Sequence, residues 1–264
     1  MPQILKAVKV TMIQPKDLSV MDKFKMSIDA GFDGISLFGP GQFPTKEVWA
    51  AQDKTGLPVH NVNVWDHWKV RLSDADPAVR EAALKNLTGA MEFASDVGAS
   101  TVLSVVGKVT DPKTENHQQM WQRSTEQIQK ALPTAGRLGV RIQCENVKNG
   151  FAETIDLWKK FIDQFNSPLV GAFFDIGNFD QKEGGAAVWI RALNTRISKI
   201  DIKDRDHAKS KNCNLTEGNV DWPDVRKALN EIGFHGWATA EVQGGDLKRL
   251  KEVVQRMDLV LGIS

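Results

Sequence analysis

Four acids stand at the ends of four strand-like runs in the second half of the chain. They are Glu145 in "VRIQCENV", Asp175 in "LVGAFFDIGN", Asp201 in "ISKIDIK" and Glu241 in "WATAEVQ". Alternation with a period of two marks a strand and sorts its side chains onto two faces. In the first run, Ile142 and Cys144 suit an apolar face, leaving Arg141, Gln143 and Glu145 on the other. In the third, Ile200 and Ile202 take one face, and Lys199, Asp201 and Lys203 the other. Asp175 shares its face with Phe173 and Gly171. Glu241 shares its face with Thr239, while Ala238 and Ala240 suit close packing against helices. Where the polar faces look into one enclosed space, four carboxylates converge and repel. Protons, buried bases or a bound cation must then neutralise them. Of these a divalent metal is the most economical. Carboxylate-only ligation favours a hard ion, Mg²⁺ or Mn²⁺, over Zn²⁺. A plainer account stands beside this one. An acid ending a strand often caps the next helix or pairs with a base, and Asp201 has Lys199 and Lys203 two residues away on its own face.

The elements that must position these acids are legible along the whole chain. Strand-like runs occur at 8–13, 33–39, 58–65, 100–107, 140–147, 169–178, 197–203 and 237–243. Helical stretches separate them. In "DADPAVREAALKNLTGAMEFASDVGA", Asp76 is a candidate cap, Pro77 suits the first turn, and Val79, Ala83, Leu87, Met91 and Ala94 share a face. In "DWPDVRKALNEIGF", Asp221 is the candidate cap, Val225, Leu229 and Ile232 share a face, and Gly233 is the stop. No linker divides the 264 residues, so one domain over 1–264 is expected. Eight β-then-α units predict an α/β fold, a (β/α)₈ TIM barrel with its active site at the C-terminal ends of the strands. An open doubly wound sheet would need a Gly-rich phosphate loop, and no GxGxxG or Walker-type motif occurs.

Composition narrows the function classes. A net charge of +1 provides no basic field for nucleic acid or an anionic membrane. Apolar runs fall far short of the roughly 18 residues that span a bilayer. The start, "MPQILKAVKV", lacks a signal-peptide core. Two cysteines, Cys144 and Cys213, form no CxxC pair or disulfide framework and fit a reducing cytoplasm. A cytoplasmic protein is therefore expected.

The ordered set "CENV", "FFDIGN", "KIDIKD" and "EGNVDWPDVRKALNEIGFHGWATAEV", preceded by "AGFDGISLF", resembles the xylose isomerase-like TIM barrels, the sugar phosphate isomerase/epimerase superfamily. The resemblance implies a metal set of Glu, Asp, His and Glu on the last four strands. Glu145, Asp175 and Glu241 match it. The H-x-H-x-K-D strand of the family here reads Lys199 to Asp204, so Asp201 stands where the ligand histidine is expected. Some relatives use aspartates around their metals, which would let Asp201 complete the set. Alternatively, Lys199 replaces the cation. The glutamate of the family's GFDGxEL motif is also absent, with Ser36 in its place.

The resemblance implies a divalent-metal-dependent isomerase or epimerase of a keto sugar or related polyol. Glu145 and Glu241 would exchange protons on opposite faces of a carbon beside a carbonyl, through an enediolate. A lyase or hydrolase acting on 3-keto-glycosides, or a keto-polyol dehydratase, would use the same α-proton abstraction followed by β-elimination. A non-catalytic sugar-binding barrel is the remaining alternative. A DNA-repair endonuclease of the superfamily would need a histidine-rich site, and the chain has five histidines, none at the expected strand positions. A small sugar is the expected partner. Dimers and tetramers are common among relatives, but no interface is legible here. For substrate contact, Trp65 could stack on a sugar face and His67 hydrogen-bond to it, or the tryptophans simply pack under a loop. Lys108, Asn178, Lys203, Arg205 and His207 are further candidates near the strand ends.

Overall fold

A computed structural model describes residues 4–111, 113 and 115–263. Eight parallel strands close into a barrel: β1 (Ile4–Lys9), β2 (Gly34–Gly39), β3 (Val59–Val64), β4 (Thr101–Ser104), β5 (Arg141–Glu145), β6 (Val170–Asp175), β7 (Ile197–Ile202) and β10 (Gly236–Ala240). Strand β1 pairs with β2 on one side and with β10 on the other, which leaves no free sheet edge. Two short strands, β8 (Asp204–Asp206) and β9 (Lys211–Cys213), form an antiparallel hairpin outside the barrel. The stretch 207–219 reads in sequence as a basic loop, and this hairpin, spanning 204–213, runs into it. Its alternating Asp and Arg residues carry no apolar face by which a strand would be recognised.

Helices α1 (Val20–Ala30), α2 (Thr45–Thr55), α3 (Pro77–Asp96), α4 (His117–Leu138), α5 (Ile155–Asp163), α6 (Ala186–Leu193), α7 (Trp222–Glu231) and α8 (Leu247–Leu261) alternate with the barrel strands. Their ends follow from side-chain chemistry. Asp76 accepts from the Ala78 N–H at the start of α3, with Pro77 in the first turn. Asn116 and Gln119 form a reciprocal capping box on α4. Asp221 caps α7. Ala83, Leu87, Met91 and Ala94 are buried as the spacing predicts, while Val79 is only half-buried in the first turn. No helix among the described residues is long and apolar enough to cross a membrane.

The strand faces divide as the period of two requires. Ile142, Cys144, Ile200, Ile202, Ala238 and Ala240 join the apolar layer shared with the helices. The lumen below the mouth is polar. Asn61 Nδ2 donates to Asn63 Oδ1 at 2.8 Å, and Thr101 Oγ1 donates to Asn61 Oδ1 at 2.8 Å.

One strand is displaced from its expected position. The first run was placed at 8–13, but β1 ends at Lys9 and Val10–Met12 form a 3₁₀ turn. Lys6 explains why the true strand was obscure. It lies on the helix side and pairs with Asp258 of α8 at 2.5 Å, breaking the apolar alternation. The apolar residues Val10, Met12 and Ile13 are buried for another reason, because the chain folds across the mouth there. Gly245 N–H donates to Met12 O and Gln14 N–H to Gly245 O, both at 2.9 Å. The shift brings Lys9 to the C-terminal end of β1.

That seam requires glycine. A Cβ on Gly244 would lie 1.8 Å from the Met12 carbonyl oxygen. Replacing Gly244 with alanine must push the 3₁₀ turn at Met12 away. Gly244→Ala is expected to cost about 1–3 kcal/mol of stability, the usual range for overpacking. An unchanged urea midpoint would contradict this account of the seam.

Candidate active site

Register sets the heights of the four acids. Asp175 is level with Asp201 across the β6–β7 pair, and Glu145 is level with Phe173 across β5–β6. Glu241 follows β10 and extends its ladder, donating its N–H to Ile202 O at 3.0 Å. The four carboxylates thus meet at the mouth, each offering one oxygen within 4.8 Å of the others. Asp175 and Asp201 are wholly buried.

Two lysines reach into this group. Lys9 Nζ lies 2.7 Å from Asp201 Oδ2 and 2.5 Å from Glu241 Oε2. Lys203 Nζ lies 2.6 Å from Asp175 Oδ2 and 3.2 Å from Glu241 Oε1. Lys199 does not join them. Its ammonium donates to the His60 carbonyl and lies 3.3 Å from His60 Nδ1, lower in the lumen. Burial there pulls its pKa down to about 7. The expected ladder between Lys199 and Asp201 is therefore corrected, as is the alternative in which Lys199 supplies the cation.

Electrostatics separate the two glutamates. Burial, reinforced by the neighbouring Glu241, pushes Glu145 up to about 8. Burial disfavours charge on Glu241 too, but Lys9 and Lys203 outweigh it and hold this carboxyl well below the usual range. Burial raises Asp175 to about 6 against the pull of Lys203, and raises Asp201 well above its ordinary value despite Lys9. The surroundings thus set the two glutamates apart, Glu145 raised and Glu241 lowered. Paired acids with separated pKa values are how one site presents an acid and a base together.

The donor set also fits a hard divalent cation. With a cation bound and all four carboxylates ionised, the two ammonium groups would leave two negative charges, which one such ion would balance. Asp201 Oδ1 is buried without a hydrogen-bond partner, an expensive state that a cation relieves. Glu145, Asp175, Asp201 and Glu241 would hold it.

Neighbouring residues brace the acids. Asn146, fully buried, accepts from Asp175 N–H at 2.6 Å and donates to Asp175 O at 2.9 Å, fastening the end of β5 to that of β6. Asp204 accepts from the Thr216 and Val220 amides and from Trp222 Nε1, at 3.0, 3.2 and 3.0 Å. It anchors the hairpin loop on α7. Sequence reasoning singled out none of Lys9, Asn146 and Asp204. Asn directly after the strand-ending Glu in "CENV" was the available signal for Asn146.

A cavity of about 560 Å³ opens above Lys9, Glu145 and Glu241, walled by Phe38, Trp65, His67, Trp68 and Leu103. Trp65 is 46% exposed and stands edge-on to Phe38, leaving its ring free at the rim. His67 Nδ1 accepts from the Val105 N–H at 3.3 Å, so the neutral ring carries its proton on Nε2. The other candidate contacts are held elsewhere. Lys108 lies over the Trp68 ring at 5.9 Å. Asn178 N–H donates to Asp175 Oδ1, and its side chain donates to Asn146 O. Arg205 donates to Asn212 Oδ1 and Ser210 O within the hairpin loop. His207 Nε2 pairs with Asp180 at 2.5 Å.

Fold and site together define a class. The xylose isomerase-like TIM barrel profile matches residues 24–260, and the chain belongs to that family. Among curated relatives, it is 24% identical to a putative L-ribulose-5-phosphate 3-epimerase, SgbU, of Escherichia coli K12 over 81% of this chain and 77% of that one. It is 23% identical to the L-ribulose-5-phosphate 3-epimerase UlaE of the same strain over 89% and 84% of the two chains. Its fold superposes on a D-tagatose 3-epimerase-like protein with a TM-score of 0.83, at 17% identity over 97% and 98% of the chains. It also superposes on the 3-keto-D-glucoside 4-epimerase YcjR of E. coli with a TM-score of 0.82, at 16% identity over 98% and 99%.

Burial, and then the nearby Lys9, lowers His67 to about 4. Its imidazole should therefore remain neutral down to pH 5 and begin to protonate only below that. An NMR titration of the ring nitrogens checks this. Titration near pH 6.5 would contradict the assigned tautomer and environment.

Proposed function

We propose that this protein is an epimerase of a keto sugar, exchanging a proton on a carbon beside the carbonyl. The observation that carries the reading is the pair Glu145 and Glu241, two carboxyls lining one cavity within a group of four acids whose oxygens converge within 4.8 Å. Glu241, ionised, is suited to remove the carbon-bound proton. Glu145 is suited to deliver one from the other side. A divalent cation held by the four acids, Mn²⁺ or Mg²⁺, would polarise the carbonyl and stabilise the developing enediolate charge. Trp65 offers an aromatic face to the sugar ring, and the Nε2–H of His67 offers a donor to a hydroxyl. The activities of the relatives, 3-epimerisation of ribulose phosphate and 4-epimerisation of a 3-keto-glucoside, both invert a carbon next to a carbonyl. That shared chemistry supports the reading without choosing the sugar.

Exchange in D₂O tests it. A panel of ketoses, their phosphates and 3-keto-glucosides should include one that gains deuterium at the carbon beside the carbonyl and yields its epimer. Glu241→Gln should lower that exchange by about 10²–10⁴-fold, the usual contribution of a general base, while circular dichroism remains unchanged. Products of elimination instead of the epimer would move the protein to the lyases. Near-normal exchange in the variant would remove Glu241 from the base role.

A further inference from the structure

Lys9 carries no proton in the proposed exchange, yet it holds two of the four acids. Its ammonium lies 2.7 Å from Asp201 Oδ2 and 2.5 Å from Glu241 Oε2. Both acids belong to the set whose oxygens converge within 4.8 Å. A cation seated among those oxygens would stand a few ångströms from a fixed positive charge, and the two would repel. They would also contend for the same carboxylates. The second oxygen of Asp201 is buried and has no partner of its own, so the pairing with Lys9 satisfies that acid only in part. Lys203 makes the matching contact on the Asp175 side, but Lys9 differs in where it can go. It lines the cavity, with 12% of its side chain exposed, and a flexible four-carbon stem can swing the ammonium aside.

We infer that Lys9 is a built-in counter-cation, competing with a divalent metal for Asp201 and Glu241 and keeping the site's metal affinity low and exchangeable. This rests on reading the four acids as a metal site, as the proposed function does. The charge at position 9 then sets the affinity, and a neutral side chain there releases both carboxylates to the metal.

Mn²⁺ titration followed by the electron paramagnetic resonance of the free ion tests this without reference to turnover. Lys9→Met and Lys9→Gln should each bind Mn²⁺ at least about ten-fold more tightly than the natural chain, and Lys9→Arg, which keeps the charge, should stay within about two-fold of it. The glutamine variant keeps a polar contact should methionine fail to fold. Should the natural chain bind no Mn²⁺ while the neutral variants do, the inference stands and the metal-dependent reading of the natural enzyme falls. Equal or weaker binding in the neutral variants, or no binding in any chain, overturns the inference.

Discussion

Excess negative charge in a small buried volume is the constraint around which the upper half of this barrel is organised. Asp175 and Asp201 are wholly buried, and Glu145 and Glu241 close the group from the neighbouring strands. Carboxylates removed from water keep their charge only when something positive or a proton accompanies them. Lys9 and Lys203 offset part of that charge, one from each side. The remainder divides unevenly. Glu241 sits between both ammoniums, which hold its carboxyl well below the usual range, while burial pushes Glu145, paired with neither, upward. The asymmetry needed for acid and base chemistry thus arises from where two lysines can reach.

The rest of the architecture holds those positions. Closure of the sheet fixes strand heights, so that Asp175 and Asp201 face each other. Asn146 locks β5 to β6 through paired hydrogen bonds to one backbone residue. Asp204 ties the segment after β7 to α7, and the Met12–Gly245 seam sets the path of the chain leaving Glu241. Asn146 and Asp204 stay out of the cavity lining while Met12 of the seam joins it, and each limits how far an acid can drift from its neighbours. Small positional errors would matter in the proposed exchange, where two carboxyls address opposite faces of one carbon.

Much of this was legible in the sequence, and the parts that were not share a cause. The eight strands and the inward faces of Glu145, Asp175, Asp201 and Glu241 follow from a period of two and from recurrence. Periodicity assigns a side chain to a face but not a height. Lys199 and Asp201 share a face, yet two strand residues separate them by roughly 6–7 Å along the barrel axis. That distance sends Lys199 to His60 and leaves Asp201 at the mouth. Lys9 was obscured in the same way. With β1 placed four residues late, a lysine of the mouth read as a lysine of the strand start. Arg205, His207 and Asn178 stand near the strand ends as expected, but the hairpin, Asp180 and Asn146 draw their side chains away from the cavity. Such local partners leave no periodic trace.

The central claim is that the four acids form one site with a charge deficit suited to a single divalent cation. Anomalous diffraction from crystals grown with Mn²⁺ addresses it most directly. The account predicts one strong peak bounded by carboxylate oxygens of Glu145, Asp175, Asp201 and Glu241. Lys9 Nζ should have moved off Asp201 into the cavity. An empty mouth at millimolar Mn²⁺, with Lys9 and Lys203 still seated on the acids, would contradict it.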